Sequence, residues 1–233
     1  MISGIIALYE PSQDNIKNIR DYYKSLDAFI VIDNSSHSNY ELVRTFVPEI
    51  YPVKKEEYIN DKLFQYIYYG ENRGLCVALN DGVKRARVLK TEWALLMDDD
   101  SSWATDLVST YKEVLSQIER DKTAVLSPVH LYDRSNAHIS KGYEEIPWAM
   151  TSGCLYNIDI FEKLGGFTER LFLECLDIEY CYRANAAGYH VYKCGGVDCG
   201  TSLLKQGALS SLERQCLNTD MLHHGAMRCR AVI

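Results

Sequence analysis

Short apolar runs alternate with amphipathic segments along about the first 130 residues. Such runs are typical of buried strands, and the segments between them have the apolar spacing of helices that face a core. This alternation predicts an α/β fold with a mostly parallel central sheet and right-handed crossovers. The predicted strands are Ile2–Tyr9, Ala28–Ile32, Phe64–Tyr69, Trp93–Met97 and Ala124–Val129, and the predicted helices lie between Pro11 and Leu26 and at Tyr40–Phe46, Leu75–Leu89 and Ala104–Ile118.

The second half of the chain is less regular. Its polar, glycine-containing segment from 130 to 145 predicts a loop. Neither an internal repeat nor a linker-like stretch divides the chain, which favours one domain. The remaining predicted elements are the strands Met150–Asn157 and Tyr189–Cys194 and the helices Ile158–Leu164 and Leu176–Ala187.

Three consecutive carboxylates end the predicted strand Trp93–Met97. Asp98, Asp99 and Asp100 repel one another, so the cluster costs stability unless a cation or water offsets its charge. Ligands of open α/β sheets bind at the carboxyl ends of strands, where these acids fall. Oxygen ligands suit hard cations such as Mg²⁺ or Mn²⁺, which bridge to phosphates. The alternative interpretation is an acidic turn exposed to solvent.

Two further acids follow predicted strands. Glu10 comes directly after the first strand and Asp33 directly after the second. Because right-handed crossovers bring parallel strands out on the same side, we expect Glu10, Asp33 and Asp98 to line one edge of the sheet. An edge that carries several acids suits a nucleotide together with a metal ion.

Composition narrows the function classes. The chain of 233 residues carries a formal net charge of -7, which argues against a nucleic-acid binder that neutralises phosphates. The apolar start has no basic region before it and predicts a strand rather than a signal peptide. No stretch approaches the ~18 apolar residues of a membrane span. The eight cysteines are therefore expected to be reduced thiols in the cytoplasm.

Two shorter motifs flank the acidic cluster in the sequence. Asn72-Arg73-Gly74 precedes a predicted helix, where free N–H groups favour an anion, although a plain helix cap is the alternative. Glu174, Asp177 and Glu179 lie among apolar residues, which raises carboxylate basicity and suits a general base. Here the alternative is an amphipathic helix whose first-turn acids complement the helix dipole.

Taken in chain order, these pieces resemble the family 2 glycosyltransferases with the GT-A fold, and the rhamnosyltransferase-like members in particular. The resemblance covers about residues 2 to 195. It rests on Tyr9-Glu10, Val31-Ile32-Asp33-Asn34-Ser35, Asn72-Arg73-Gly74-Leu75 with Ala78-Leu79-Asn80-Asp81-Gly82, Leu96-Met97-Asp98-Asp99-Asp100-Ser101, Thr151-Ser152-Gly153 with Gly165-Gly166-Phe167, and Leu171-Phe172 with Asp177-Ile178-Glu179-Tyr180-Cys181-Tyr182-Arg183.

The resemblance implies a role for each matching residue. Asp33 would bind the nucleotide base in a pocket bordered by Tyr9 and Glu10, and Asn72 and Gly74 would hold their loop against the base and phosphates. Asp98 and Asp100 match the outer acids of the DxD motif, one facing the ribose and the other a Mg²⁺ or Mn²⁺ ion. Asp177 would be the catalytic base, alone or with Glu174 or Glu179. Leu176 departs from the family pattern, because many members have Glu there.

The implied activity is an inverting, metal-dependent transfer of a sugar from a nucleotide diphosphate, either dTDP-rhamnose or a UDP-sugar. The implied acceptor is a saccharide or a lipid-linked acceptor in cell-envelope polysaccharide synthesis, reached from the cytoplasm with peripheral contact to the inner face of the membrane. The implied domain spans 1–195, divided into a nucleotide-binding half (1–101) and an acceptor half (102–195), and 196–233 form an extension. A catalytically impaired nucleotide-sugar binder is the alternative, suggested by Leu176 and the unmatched tail.

Overall fold

The computed structural model describes residues 1–53, 63–103, 106–130, 142–173 and 175–201. The strands are β1 (Ile2–Leu8), β2 (Ala28–Asp33), β3 (Tyr51–Pro52), β4 (Phe64–Tyr68), β5 (Trp93–Met97), β6 (Ser101–Trp103), β7 (Thr123–His130), β8 (Tyr143–Glu145), β9 (Cys154–Asn157) and β10 (His190–Thr201). The α-helices are α1 (Gln13–Ile16), α2 (Ile19–Tyr22), α3 (Tyr40–Phe46), α4 (Leu75–Val88), α5 (Leu107–Leu115), α6 (Ile158–Lys163) and α7 (Leu176–Ala186).

All described strands join one mixed sheet in the order β3-β4-β2-β1-β5-β9-β7-β10-β6, with β8 also paired to β10. The five strands from β3 to β5 in this order are parallel to one another. Antiparallel pairing enters at β9, which lies between β5 and β7. The α/β class and the mostly parallel sheet are confirmed.

The core has two layers because the sheet is covered on both faces. Successive side chains of a strand point to opposite faces, so Ile6 and Leu95 join one apolar cluster with Tyr111 of α5. Ile5 and Leu96 join the other cluster, which contains α4, α6 and α7. A strand buried on both sides has no polar face, which is why β5 is a continuous apolar run in the sequence and only Ser3 interrupts β1 with a polar side chain.

The predicted helix between Pro11 and Leu26 is wrong as a single element. The chain forms α1, α2 and a 3₁₀ turn at Tyr23–Ser25 instead, although Ile16 and Ile19 are buried as expected. Asn18 lies at the break, and its side chain donates to the Ser101 carbonyl at 3.4 Å. Polar side chains that find such partners compete with helical backbone bonding.

The second half departs from the prediction at three places. Tyr143–Glu145 is an edge strand paired with β10 rather than loop, and the predicted loop residues 131–141 lie outside the described residues. The predicted strand start at Met150 is wrong, because residues 150–153 turn before β9 begins at Cys154. β10 continues past its predicted end to Thr201, and Gly196, with φ of 84°, lies where its register against β7 shifts. Residues 202–233 lie outside the description.

Within the described ranges, none of the helices combines the length and apolar character that crossing a bilayer requires.

Gly82→Ala tests how closely α4 packs on the sheet. A Cβ at Gly82 would lie 2.4 Å from Cγ2 of Ile5, so the substitution should lower the free energy of unfolding by about 1–3 kcal/mol through overpacking. Urea unfolding followed by circular dichroism measures the change. Val88→Ala on the exposed side of the same helix is the control, with an expected change within about 0.5 kcal/mol. Equal stability of Gly82→Ala and wild type would contradict this packing.

Candidate functional site

The candidate site lies at the carboxyl edge of the parallel strands. β1 pairs Leu8 with Asp33 of β2 and Ile6 with Met97 of β5, so the three strands end side by side. Glu10, Asp33 and Asp98 therefore come out along one edge, as their positions after strands predicted. Crossovers with helices on both faces place the ends of separate chain segments here, where a ligand meets several loops at once.

Asp33 is fully buried and braces the loop that follows β2. One carboxylate oxygen accepts hydrogen bonds from the Asn39 backbone N–H (2.8 Å) and from the Tyr66 hydroxyl, and the other accepts from the Ser35 N–H at 3.1 Å. Burial, followed by the hydrogen bond to Asp33, raises the pKa of Tyr66, so the phenol stays protonated and keeps donating. Through these hydrogen bonds, the buried Asp33 carboxylate fixes the conformation of the loop after β2.

Glu10 and Tyr9 form the outer wall beside this loop. Glu10 has a left-handed backbone with φ of 46°, and its carboxylate accepts from the Ser36 hydroxyl (2.6 Å) and N–H (2.8 Å). These hydrogen bonds lower the pKa of Glu10, the hydroxyl contributing most, so the group stays ionised. The Tyr9 side chain is exposed, which leaves an aromatic surface open to a ligand.

Asn72 and Gly74 belong to a loop, residues 72–74, which we call the donor loop after the role in binding the nucleotide-sugar donor that the sequence resemblance implies. Asn34 holds it, because its side chain donates to Asn72 Oδ1 (2.9 Å) and accepts from the Arg73 N–H (2.7 Å). Asn72 Oδ1 also accepts from the Gly74 N–H at 2.9 Å. Gly74 has φ of 86° at the start of α4, a conformation that favours glycine. Sequence reasoning missed the role of Asn34, which depends on a long-range pairing.

The acidic cluster after β5 is electrostatically unfavourable in the absence of a cation. Burial raises the pKa of Asp98 to about 7, with further contributions from the charges of Asp100, Asp99 and Asp177. Burial and Asp100 raise the pKa of Asp99 to about 6. Carboxylates held together in this way gain most from a positive charge placed between them.

Asp177 reaches the same centre from the first turn of α7. Its two carboxylate oxygens accept from the backbone N–H groups of Thr151 (3.2 Å) and Ile178 (2.8 Å). Its charge contributes to the raised pKa of Asp98, so the acidic segment after β5 and the start of α7 lie close together. The contact through Thr151 fixes the Asp177 carboxylate against the turn that precedes β9.

That turn, residues 151–153, connects the two acidic segments. The Ser152 hydroxyl accepts from the Asp98 N–H (3.4 Å) and donates to the Ser101 hydroxyl (2.5 Å). The Ser152 carbonyl accepts from the ring of His130 at 2.7 Å, and the Gly153 carbonyl accepts from the Tyr111 hydroxyl at 2.6 Å. The sequence prediction of a strand over these residues hid this role, although Thr-Ser-Gly is itself a turn signal.

Glu179 pairs with Arg183 rather than with the acidic cluster. Both Glu179 oxygens accept from Arg183, at 2.9 and 2.8 Å, and Arg183 also donates to the Gly166 carbonyl at 2.7 Å. Glu179 thus joins an ion pair that spans one helical turn, a spacing visible in the sequence. Glu174 lies outside the described residues. Leu176 is buried in the core, which accounts for an apolar residue at this position.

A divalent cation at these acids would need further oxygen ligands from a bound substrate. Within the described ranges, no three His, Cys, Asp or Glu side chains form a ready-made metal site. Mg²⁺ and similar ions are commonly held by one or two carboxylates together with substrate phosphates rather than by a protein cage. The raised pKa values of Asp98 and Asp99 are what such a cation would relieve.

The glycosyl transferase family 2 model matches residues 13–190. The chain belongs to this family. The match covers the donor loop, the acidic cluster and α7, so the family segments are the ones that meet at this edge. As a family 2 member, the chain also shares 21% identity over 209 residues with the dTDP-rhamnosyl transferase RfbF of Shigella flexneri. That alignment covers 82% of this chain and 65% of the relative, so the chain spans less than two thirds of the relative's length.

Two solved structures share the fold. GalNAc-T7 crystallised with UDP, GalNAc and Mn²⁺ aligns with a TM-score of 0.64 at 14% identity, over 86% of this chain and 43% of its own. TarS of S. aureus aligns with a TM-score of 0.59 at 16% identity, over 94% of this chain and 40% of its own. The fold of this family 2 member is that of the GT-A glycosyltransferases.

Asp98→Asn tests the electrostatic cost of the cluster in EDTA-treated protein. Folding raises the pKa of Asp98 from 3.8 to about 7, so wild type loses stability as the pH rises from about 4 through 7. The variant should be more stable than wild type by about 1–3 kcal/mol at pH 8 and similar to it at pH 4.

Urea unfolding at both pH values measures this difference. Asp121→Asn, which removes an exposed carboxylate from the turn before β7 at the opposite edge of the sheet, is the control and should match wild type at both. An Asp98→Asn variant no more stable than wild type at pH 8 would show that the cluster carries no such cost.

Proposed function

We propose that this protein is an inverting, metal-dependent glycosyltransferase that moves a sugar from a nucleotide diphosphate to a saccharide or lipid-linked acceptor. The observation that carries the proposal is the meeting of Asp98, Asp100 and Asp177 at the sheet edge, with raised pKa values at Asp98 and Asp99. Family 2 membership supports the transferase class. The likeness to RfbF supports dTDP-rhamnose as donor, and a solved neighbour with UDP supports a UDP-sugar as the alternative.

The nucleotide would lie between the loops after β1, β2 and β4. Tyr9 offers an exposed ring to the base, and Glu10 and Asp33 shape the pocket through the hydrogen bonds they accept. Asn72 and Gly74 would hold the donor loop against the phosphates at the start of α4, where the positive end of the helix dipole favours an anion. The exact fit of the base depends on these loops.

Asp98 and Asp100 would hold Mg²⁺ or Mn²⁺, with Asp98 also facing the ribose. When bound, the ion neutralises the diphosphate and stabilises it as the leaving group. The two carboxylates belong to one short segment after β5, and Ser152 fixes the backbone of that segment through the Asp98 N–H. A fixed segment keeps the carboxylate positions preorganised, which is what electrostatic stabilisation requires.

Asp177 would act as the general base. It would take the proton of the acceptor hydroxyl while the acceptor oxygen bonds to the anomeric carbon and the bond from that carbon to the diphosphate oxygen breaks. One displacement of this kind inverts the anomeric centre. Glu179 would support the base indirectly, since its carboxylate pairs with Arg183 and Arg183 binds the Gly166 carbonyl.

The extent of the catalytic unit and its cellular context are part of the same proposal. The catalytic unit would comprise residues 1–195, with nucleotide binding in 1–101 and acceptor binding in 102–195. The proposal also includes cell-envelope polysaccharide synthesis, a cytoplasmic location and peripheral contact with the inner face of the membrane, as the sequence resemblance implies.

Asp100→Asn should remove metal-assisted nucleotide binding without unfolding the protein. Loss of one of two ligands should weaken Mn²⁺-dependent binding of UDP or dTDP by about tenfold or more. Isothermal titration calorimetry with and without Mn²⁺ measures this effect. Asp121→Asn, which also removes one negative charge, should bind like wild type. Unchanged Mn²⁺ dependence in Asp100→Asn would remove this residue from the metal site.

Asp177→Asn should separate binding from chemistry. Asparagine keeps the shape of the side chain but cannot accept the proton, so kcat should fall by about 10²–10⁴ while donor affinity stays within about threefold. Steady-state transfer assays and donor calorimetry measure the two quantities. A variant with full turnover would exclude Asp177 as the base.

A nucleotide-sugar binder without transfer activity is the second candidate, favoured by the buried Leu176 where many family members have Glu. A donor screen with product detection by mass spectrometry distinguishes the two. Metal-dependent binding with no turnover of any donor would favour the binder. A folded sample with no metal-dependent nucleotide binding would exclude both.

A further inference from the structure

The backbone makes a rare turn a few residues before Asp177. Phe172 has φ of 59° and ψ of -61°, and the Leu173 N–H donates to the Leu171 carbonyl at 2.6 Å. These features define a γ-turn of the strained hand, which is uncommon for residues with a side chain. Strained backbone persists only where surrounding contacts hold it, and such residues cluster at functional sites.

Contacts with the donor loop and the first turn of α4 hold this γ-turn. The Phe172 ring covers Gly74 so closely that a Cβ at Gly74 would lie 2.6 Å from Cδ2 and 2.9 Å from Cε2 of the ring. The Phe172 carbonyl accepts from the Cys76 N–H at 3.2 Å, and the Phe172 N–H donates to the Glu169 carbonyl at 3.1 Å. Half of the Phe172 side chain nevertheless remains exposed.

A second attachment holds the start of the same segment. Asn80 of α4 is buried, and its side chain pairs with both backbone groups of Phe167, donating to the carbonyl at 2.9 Å and accepting from the N–H at 2.8 Å. Segment 166–172 is therefore fastened to α4 near both of its ends. The position of segment 166–172 therefore depends on the position of α4 and of the donor loop that precedes α4.

The segment leads directly to the proposed base. Cys175 has a left-handed backbone with φ of 61° and precedes α7, and Asp177 lies in the first turn of that helix. A shift of the γ-turn relative to the donor loop would thus move the start of α7. During such a shift, the Thr151 N–H would still hold the Asp177 carboxylate from the other side.

We propose that Phe172 is a positioning residue that couples the donor loop to Asp177. A donor bound at the donor loop steadies Gly74, the ring of Phe172 rests on Gly74, and the γ-turn then holds the start of α7 in place. Binding of the donor would in this way fix the position of Asp177 relative to the bound donor. This inference rests on the proposed function, because it assigns a consequence to nucleotide binding at that loop.

The test compares Phe172→Ala with Phe172→Tyr, which keeps the ring, and with Leu173→Ala, which removes a neighbouring exposed side chain. Three measurements apply to each protein: calorimetric affinity for UDP and dTDP with Mn²⁺, amide hydrogen exchange of peptides from the 166–180 region with and without nucleotide, and kcat with donor KM.

In wild type, nucleotide should slow exchange in this region by about tenfold or more. In Phe172→Ala, nucleotide should bind within about threefold of wild type, but the protection should be lost and kcat should fall by about tenfold or more at an unchanged donor KM. Phe172→Tyr should restore protection and kcat, and Leu173→Ala should behave as wild type. A merely structural role for the ring would not remove protection that depends on nucleotide.

Two results would overturn the inference while leaving the proposed function intact: wild type that binds nucleotide without protection of this region, or Phe172→Ala that keeps both protection and kcat. Absence of metal-dependent nucleotide binding in folded wild type would overturn the proposed function, and the inference with it. If circular dichroism shows that Phe172→Ala does not fold, Phe172→Leu, which keeps bulk but not the ring, takes its place with the same expected and overturning results.

Discussion

Mutual repulsion among carboxylates at one edge of the sheet is the constraint on which this structure depends. Asp98, Asp99 and Asp100 follow a strand that is buried on both faces, and Asp177 adds its charge from α7. Burial alone raises a carboxylate pKa, and the neighbouring charges raise it further. A fold that keeps such groups together without a cation loses stability near neutral pH, and the cation of the proposed function would offset that cost.

The rest of the molecule supplies the means of keeping these groups in place. The parallel strands bring segments that are distant in sequence to one edge, and the two apolar layers fix the strands against helices on both faces. Backbone donors do the finer positioning, because the Thr151 N–H holds Asp177 and the Asp98 N–H is bound by Ser152. Uncharged groups can hold a carboxylate without cancelling the charge that a cation would meet.

Much of this could be predicted from the sequence, for physical reasons that also set the limit. β5 and α4 have strong local signals, since a strand buried on both faces is apolar throughout and a helix on the sheet has an apolar stripe. The Thr-Ser-Gly sequence at 151–153 is a local turn signal. It does not reveal the long-range contacts of this turn, such as the hydrogen bond from the Gly153 N–H to the Leu96 carbonyl at 2.8 Å. The Asn34 and Asn80 pairings likewise join positions far apart in the chain. The Glu179–Arg183 pair was visible as a spacing of four, but spacing alone does not separate a structural acid from a reacting one.

The distinction between a structural residue and a reacting one also applies to position 176, which is Leu176 here. A family position that often carries an acid is occupied here by a side chain buried in the core, and the next residue is the acid that meets Asp98. One carboxylate at this point is sufficient for a single proton transfer, provided that its place is well defined. Asp177 is constrained from Thr151 on one side and, through the segment fastened to α4, from the donor loop on the other. In the proposed mechanism, precise placement of Asp177 by two independent attachments would supply what a second acid would otherwise contribute, because the effectiveness of a general base depends on geometry before it depends on pKa.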